Sequence, residues 1–181
     1  MTLGGTNCYV LSWDQAALLI DVGPEDEAHL DALAAYLRSN QLALRAILLT
    51  HTHSDHIGGL DAFRRRVPAP VYAFKEGYDQ RLHDGQTLYE TLSVLHTPGH
   101  APGAVCLYAP DLGTVFTGDT LFRGGPGATG RSFSDFPTII ESIRTKLLTL
   151  PSETVVHTGH GDSTTIGEEA PHLEEWIARG H

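Results

Sequence analysis

The sequence has no apolar run near the ~18 residues that a membrane-spanning helix needs, so no segment reads as a span. Positive charge is scarce: 12 Lys and Arg stand against 22 Asp and Glu, for a formal net charge of −10. That balance argues against a nucleic-acid backbone or an anionic membrane as partner, because both are held by basic surfaces. Cysteine is nearly absent; Cys8 and Cys106 form no CxxC pair and no disulfide framework. The first residues, Met1-Thr2-Leu3-Gly4, lack the basic and apolar regions of a signal peptide, so a cytoplasmic location is expected. Repeats and low-complexity stretches are missing too, and 41% hydrophobic with only 19% charged residues excludes a disordered chain. What these absences leave is one globular domain over residues 1–181, long enough to bury a core without staples.

Histidine, by contrast, is abundant. There are eleven, and seven of them cluster at 51, 53 and 56, at 96 and 100, and at 157 and 160. Imidazole is the commonest metal ligand, which raises the question whether these clusters form one site.

The hydrophobic pattern alternates short strands with amphipathic stretches. Asn7–Ser12 and Ala17–Asp21 read as neighbouring strands with a turn at Asp14-Gln15. Ala28–Leu37 sets Leu30, Leu33, Ala34 and Leu37 on one helical face. Ala46–Thr50 reads as a buried strand, and Leu60–Val67 as a helix stopped by Pro68. Four further strands are expected at Pro70–Phe74, Leu92–His96, Ala104–Tyr108 and Thr114–Thr117. Ser134 is the expected cap of a helix with the stripe Phe136, Ile140, Ile143, Leu147 and Leu150. Glu153–His157 reads as the last strand and Thr165–Arg179 as a single last helix. Strands and helices interleaved in this way imply an α/β or α+β layered domain. The histidine clusters fall where strands end, which is where scaffolds hold functional loops.

Thr50-His51-Thr52-His53-Ser54-Asp55-His56 follows directly on a buried strand. Residues two apart at an extended strand end point the same way, so His51 and His53 converge. The turn into Gly58-Gly59 then presents Asp55 and His56 to a second point nearby. Three later strand ends supply partners: His100 in Thr97-Pro98-Gly99-His100, Asp119 in Thr117-Gly118-Asp119-Thr120, and His160 in Gly159-His160-Gly161. His51, His53 and His100 would give three nitrogens to one ion, Asp55, His56 and His160 would serve a second, and Asp119 could bridge both. A nitrogen-rich set with carboxylates suits two divalent ions, zinc first and iron or manganese next. Such a pair lowers the pKa of water and polarises a carbonyl or phosphoryl oxygen.

These motifs resemble the metallo-β-lactamase superfamily, from about Asn7 to Ile166. The resemblance implies an αββα sandwich with the metals at one sheet edge. Within the superfamily, Thr97–His100 and Thr117–Gly125 are similar to the hydroxyacylglutathione hydrolases (type II glyoxalases), which cleave thioesters of a low-molecular-weight thiol. That likeness implies a thioester hydrolase acting on a small molecule, with Asp55 and Asp119 orienting the attacking water. True β-lactamases usually carry Cys where Asp119 stands. Two departures bear on the thiol. Type II glyoxalases continue into a helical domain that helps hold glutathione, and they usually carry a basic residue where this chain has Ala128. The segments 124–136, 159–165 and 170–176 look like actinobacterial-type hydrolases associated with mycothiol metabolism. Arg123 and Arg131 remain as anion contacts or as solvated loop residues.

The resemblance carries two other reactions on the same fold. Persulfide dioxygenases, with a single iron, are similar at His51, His100 and Asp119. Leu3-Gly4-Gly5-Thr6-Asn7 is similar to the single-domain endoribonucleases, against which the net charge of −10 argues. Asp21 reads either as a buttress for a metal ligand or as an ordinary turn residue. Structural roles are expected for His96 and His157, solvated ones for His29, His83, His172 and His181, and core or rim positions for Tyr9, Tyr108 and Trp176.

Overall fold

A computed structural model describes residues 5–180, so Met1–Gly4, including the start of the Leu3–Asn7 motif, and His181 lie outside the described residues. The first half of the chain builds one sheet. Its elements are β1 (Tyr9–Trp13), β2 (Ala16–Ile20), α1 (Glu27–Ser39), β3 (Ala43–Leu48), α2 (Ser54–Ile57), α3 (Leu60–Arg66), β4 (Val71–Ala73) and β5 (Gln80–Arg81). The strands lie in the order β1-β2-β3-β4-β5, with β1 antiparallel to β2 and the others parallel. The second half supplies β6 (Thr87–Leu88), β7 (Leu92–His96), β8 (Val105–Ala109), β9 (Thr114–Gly118), the ribbon β10 (Leu121–Phe122) with β11 (Gly125–Pro126), α4 (Phe136–Ser142), β12 (Val155–Thr158), β13 (Thr164–Thr165), α5 (Ile166–Glu169) and α6 (Leu173–Arg179). Its main sheet runs β13-β12-β9-β8-β7-β6.

Alternation within strands buried on both faces makes the layers. In β2, Ala17 and Leu19 pack with Leu30, Leu37 and Phe63 of the helices on the outer side. Leu18 and Ile20 point the other way and meet Leu92, Val94, Leu107 and Phe116 of the second sheet. The far face of that sheet, with Cys106 and Val115, packs against Ile139, Ile143 and Trp176. The result is the expected αββα sandwich, and it explains why β2 and the stretch of β3 from Ala46 on read as unbroken apolar runs rather than alternating ones. Among the described residues, no helix is long and apolar enough to cross a membrane.

Strand direction places the loops. β8 is antiparallel to both β7 and β9, so β7 and β9 run the same way, and β12 pairs parallel with β9. The C-terminal ends of β7, β9 and β12 therefore share one edge. The first sheet brings the end of β3 to the same edge, where the Thr50 carbonyl accepts from the Val105 amide across the sandwich at 2.8 Å.

Four local expectations are corrected. The cap of α4 is Asp135, whose carboxylate accepts from the Thr138 amide at 2.9 Å, while the Ser134 hydroxyl donates back to the Arg131 carbonyl at 2.8 Å. The helix after it widens into a π turn over Ile143–Leu147. The last stretch is not one helix but α5, a 3₁₀ turn over Ala170–His172, and α6, because Pro171 has no N–H to continue the ladder. His29 is not solvated; its Nε2–H donates to the Val22 carbonyl at 3.0 Å, and the ring is half-buried.

The outer helical face tests this layering. Leu30 is fully buried and Leu33 only partly so. Leu30→Ala is expected to cost about 2–5 kcal/mol of unfolding free energy and Leu33→Ala clearly less, read as denaturation midpoints at equal slope.

Candidate metal centre

His51 and His53 follow the end of β3, and His53 is also the cap of the short helix α2. That helix is the turn the sequence required, and it carries Asp55 and His56 in its first turn. His100 follows β7, Asp119 follows β9 and His160 follows β12. The structure brings all seven side chains together. His53 Nδ1 lies 3.0 Å from His51 Nε2 and 2.9 Å from His100 Nε2. His160 Nε2 lies 3.3 Å from His56 Nε2 and 3.3 Å from Asp55 Oδ2. Asp119 spans the two sets: its Oδ2 is 3.5 Å from both His100 Nε2 and His160 Nε2, and its Oδ1 is 3.2 Å from His56 Nε2.

These spacings fit cations. Ligands 2.0–2.1 Å from a tetrahedral ion sit roughly 3.3 Å from one another, and each of the two trios has its donor atoms within 4.8 Å. The remote ring nitrogens fix which atom faces inward. His56 Nδ1 lies 2.7 Å from Asp21 Oδ2, His100 Nδ1 2.8 Å from the Ala128 carbonyl, and His160 Nδ1 2.8 Å from the Gly5 carbonyl. A ring nitrogen facing a carbonyl or carboxylate carries the proton, so Nε2 presents a lone pair to the centre. Asp119 Oδ1 is buried and makes no hydrogen bond, although the Nε2 of His56 faces it. A proton or a cation between them is what such a pair of acceptors requires.

Asp21 holds this arrangement. It sits at φ 55, and its carboxylate accepts from the Thr50 amide at 2.8 Å, from the Thr50 hydroxyl at 2.6 Å and from His56. Of the two readings of Asp21, the buttress is the observed one. The Thr50 hydroxyl, its proton given to Asp21, lies 3.2 Å from His51 Nδ1 and can accept from it. Thr50 was not singled out in the sequence, nor were the Ala128 and Gly5 carbonyls; a backbone acceptor carries no side-chain signal. The Gly5–Asn7 segment clamps the His160 loop further. The Asn7 amide group donates to the Thr158 and Gly161 carbonyls, each at 3.0 Å. His96 and His157 stay outside the centre, His96 stacked on Phe74 and His157 on Phe116.

The electrostatics divide the two trios. Burial drives His51 well below the ordinary imidazole range, takes His53 down to about 4, and lowers His100 against the pull of Asp119. Burial would lower His56 as well, but Asp21 and Asp119 outweigh it and push that ring up to about 10. The bond to Asp119 raises His160. Asp119, despite burial, is held far down by His160 and His56 and stays ionised. The first trio is thus neutral and ready for a cation at pH 7, whereas a cation at the second must displace the proton that His56 holds.

Fold and site together define a metal-binding protein of the αββα hydrolase class. The chain belongs to the metallo-beta-lactamase superfamily, whose model matches residues 1–94 and 88–160. It is 33% identical over 193 residues to the hydroxyacylglutathione hydrolase GloC of Haemophilus influenzae, covering 90% of this chain and 89% of that one. Among solved structures it is similar to a di-iron-bound form of TTHA1623 (TM-score 0.81, 35% identity, 94% and 96% of the two chains). It is also similar to the B3 metallo-beta-lactamase BLEG-1 (0.82, 36%, 93% and 92%) and to ETHE1 from Myxococcus xanthus (0.85, 28%, 97% and 85%).

Two outcomes follow. Asp21→Asn would oppose its amide N–H₂ to donors on Thr50 or His56, and is expected to weaken metal binding about 10- to 100-fold in a chelator competition while the far-UV spectrum is retained. Acidification should empty the trios unequally. With raised pKa values at His56 and His160 and lowered ones at His51, His53 and His100, metal content after desalting is expected to fall from about two ions per chain at pH 7.5 to about one at pH 5.5.

Proposed function

We propose that the protein is a cytoplasmic dinuclear metallohydrolase that cleaves acyl thioesters of a low-molecular-weight thiol. The observation that carries this reading is the shared carboxylate: two complete ligand trios meet at Asp119, in a chain one-third identical to GloC along nearly its whole length. His51, His53 and His100 would hold one ion, Asp55, His56 and His160 the other, and Asp119 both. The donor set of five imidazoles and two carboxylates favours zinc, with iron next in view of the di-iron relative. Two ions so held would supply a nucleophilic hydroxide near neutral pH and polarise the acyl carbonyl.

The residues of the chain do the rest. Asp55 and Asp119 are acceptors that can orient an attacking water. A C–O bond forms at the acyl carbon, the C–S bond breaks, and its electron pair leaves on sulfur. The thiolate is a good leaving group and takes up the proton that water gives up, so no strong general acid is required. Beyond the seven, the charged groups in the cleft are Arg123, Arg131 and Asp162. The arginines can contact an anionic group of the thiol portion.

The resemblance to persulfide dioxygenases at His51, His100 and Asp119, with the fold likeness to ETHE1, supports a second reading. One set of assays separates them. The metal-quantified protein is expected to hydrolyse thioesters in preference to a lactone, a β-lactam and short RNA. His53→Ala and Asp119→Ala should remain folded and lose about 100-fold or more in kcat/KM. Full turnover by the Asp119 variant would sink the mechanism. About one iron per chain, with oxygen uptake on a thiol persulfide, would replace it by the dioxygenase.

A further inference from the structure

The centre opens on two sides, and His53 lines both openings. One opening, of about 590 Å³, holds Asp55, His100, Asp119, His160 and the two loop arginines. The other, of about 560 Å³, has apolar walls in Phe74, Ala101, Pro102, Gly103 and Phe133, and its charged groups are Lys75 and the pair Glu76 and Arg81, 2.6 Å apart.

The apolar side is built rather than incidental. The Phe74 ring stacks flat on His96, with centroids 3.9 Å apart and planes at 7°. His96 Nε2–H in turn donates to the Pro102 carbonyl at 2.9 Å, so one histidine fixes two parts of the wall. Opposite sits Phe133, which is 47% exposed although it is a large hydrophobe, with its ring 5.6 Å from that of His53. An exposed aromatic beside a reactive centre gains burial when an apolar ligand covers it.

Resting on the thioesterase reading, we propose that this slot receives the acyl group, and that the preferred acyl group is an extended apolar chain rather than a short hydroxyacyl. Charge assigns the arms. The opening that holds Arg131 and the Arg123–Asp162 pair suits the polar or anionic thiol portion, and the one walled by two phenylalanines, with Lys75 and the Glu76–Arg81 pair among its lining, suits hydrocarbon. Size agrees, because about 560 Å³ is several times what a two- or three-carbon acyl group fills. The carbonyl carbon would then lie at the junction of the arms, beside His53.

A series of straight-chain acyl thioesters, acetyl to hexanoyl, on one common thiol tests the assignment. kcat/KM is expected to rise roughly two- to fourfold per added methylene. Gly103 tolerates a side chain: an added Cβ would meet the Lys75 backbone at 3.6 Å and Phe74 at 3.8 Å, both ordinary contacts. Gly103→Leu fills the slot and Phe133→Ala removes a wall, and each should lower the hexanoyl-to-acetyl ratio about tenfold. Hexanoate binding to the metal-free protein, followed by NMR, should weaken in both variants. A flat chain-length profile, or a ratio unmoved by either variant while hydrolysis persists, overturns the slot and leaves the thioesterase standing. No hydrolysis at any chain length overturns both.

Discussion

One buried carboxylate organises the centre. Asp21 occupies the left-handed region of backbone space, which costs a non-glycine residue about 1–3 kcal/mol, and it is almost completely buried. Both penalties are offset by bonds from the Thr50 amide, the Thr50 hydroxyl and the His56 ring, all charge-assisted. Through these contacts Asp21 ties the end of β2 to the end of β3 and to α2. It sets the face of the His56 ring directly and that of His51 through the Thr50 hydroxyl. Without that tie His100 and His160 would still be aimed by the Ala128 and Gly5 carbonyls, but His51 and His56 would not be.

Close packing sets the other half of the constraint. A Cβ on Gly159 would collide with Asp119 Oδ1 and approach His56 Cε1 to 2.8 Å, and one on Gly118, at φ 49, would come within 2.5 Å of the Thr50 hydroxyl. Glycine at these two places lets the loops after β9 and β12 approach the loop after β3. The glycines that mark strand ends in the sequence therefore serve the convergence of the site as well as the turns.

Much of the centre was legible because its signal is local. Histidines and aspartates at strand ends are visible as letters, and the parallel relation of β7, β9 and β12 brings those ends to one edge. The layers were legible for a similar reason, since β2 and the second half of β3 are apolar on both faces. Two-residue strands such as β5, β6 and β13 were not legible, because two residues carry no period. The Asp135 cap was missed because Ser134 and Asp135 are both good capping residues, and only the backbone decides which one stands at the first turn. Ala128 and Gly5 were invisible as partners because their contribution is a carbonyl that any residue would supply.

The net charge of −10 is misleading if spread evenly over the molecule. Asp21 is buried against His56 and does not line the cleft, whereas Asp55 and Asp119 do line it, each facing an imidazole. Two divalent ions would bring four positive charges to a site where Asp55 and Asp119 supply two negative ones; Arg131 adds to the positive side, while Arg123 is offset by Asp162. The acidic residues that set the overall charge include exposed ones such as Glu76 and Asp162, paired across the surface with Arg81 and Arg123. Exposed pairs of this kind are screened over roughly 8–10 Å in physiological salt, whereas the buried centre is not. A substrate with an anionic portion would therefore be compatible with an acidic protein, because with two divalent ions bound the field at the cleft would be set by those ions and Arg131 rather than by the net charge.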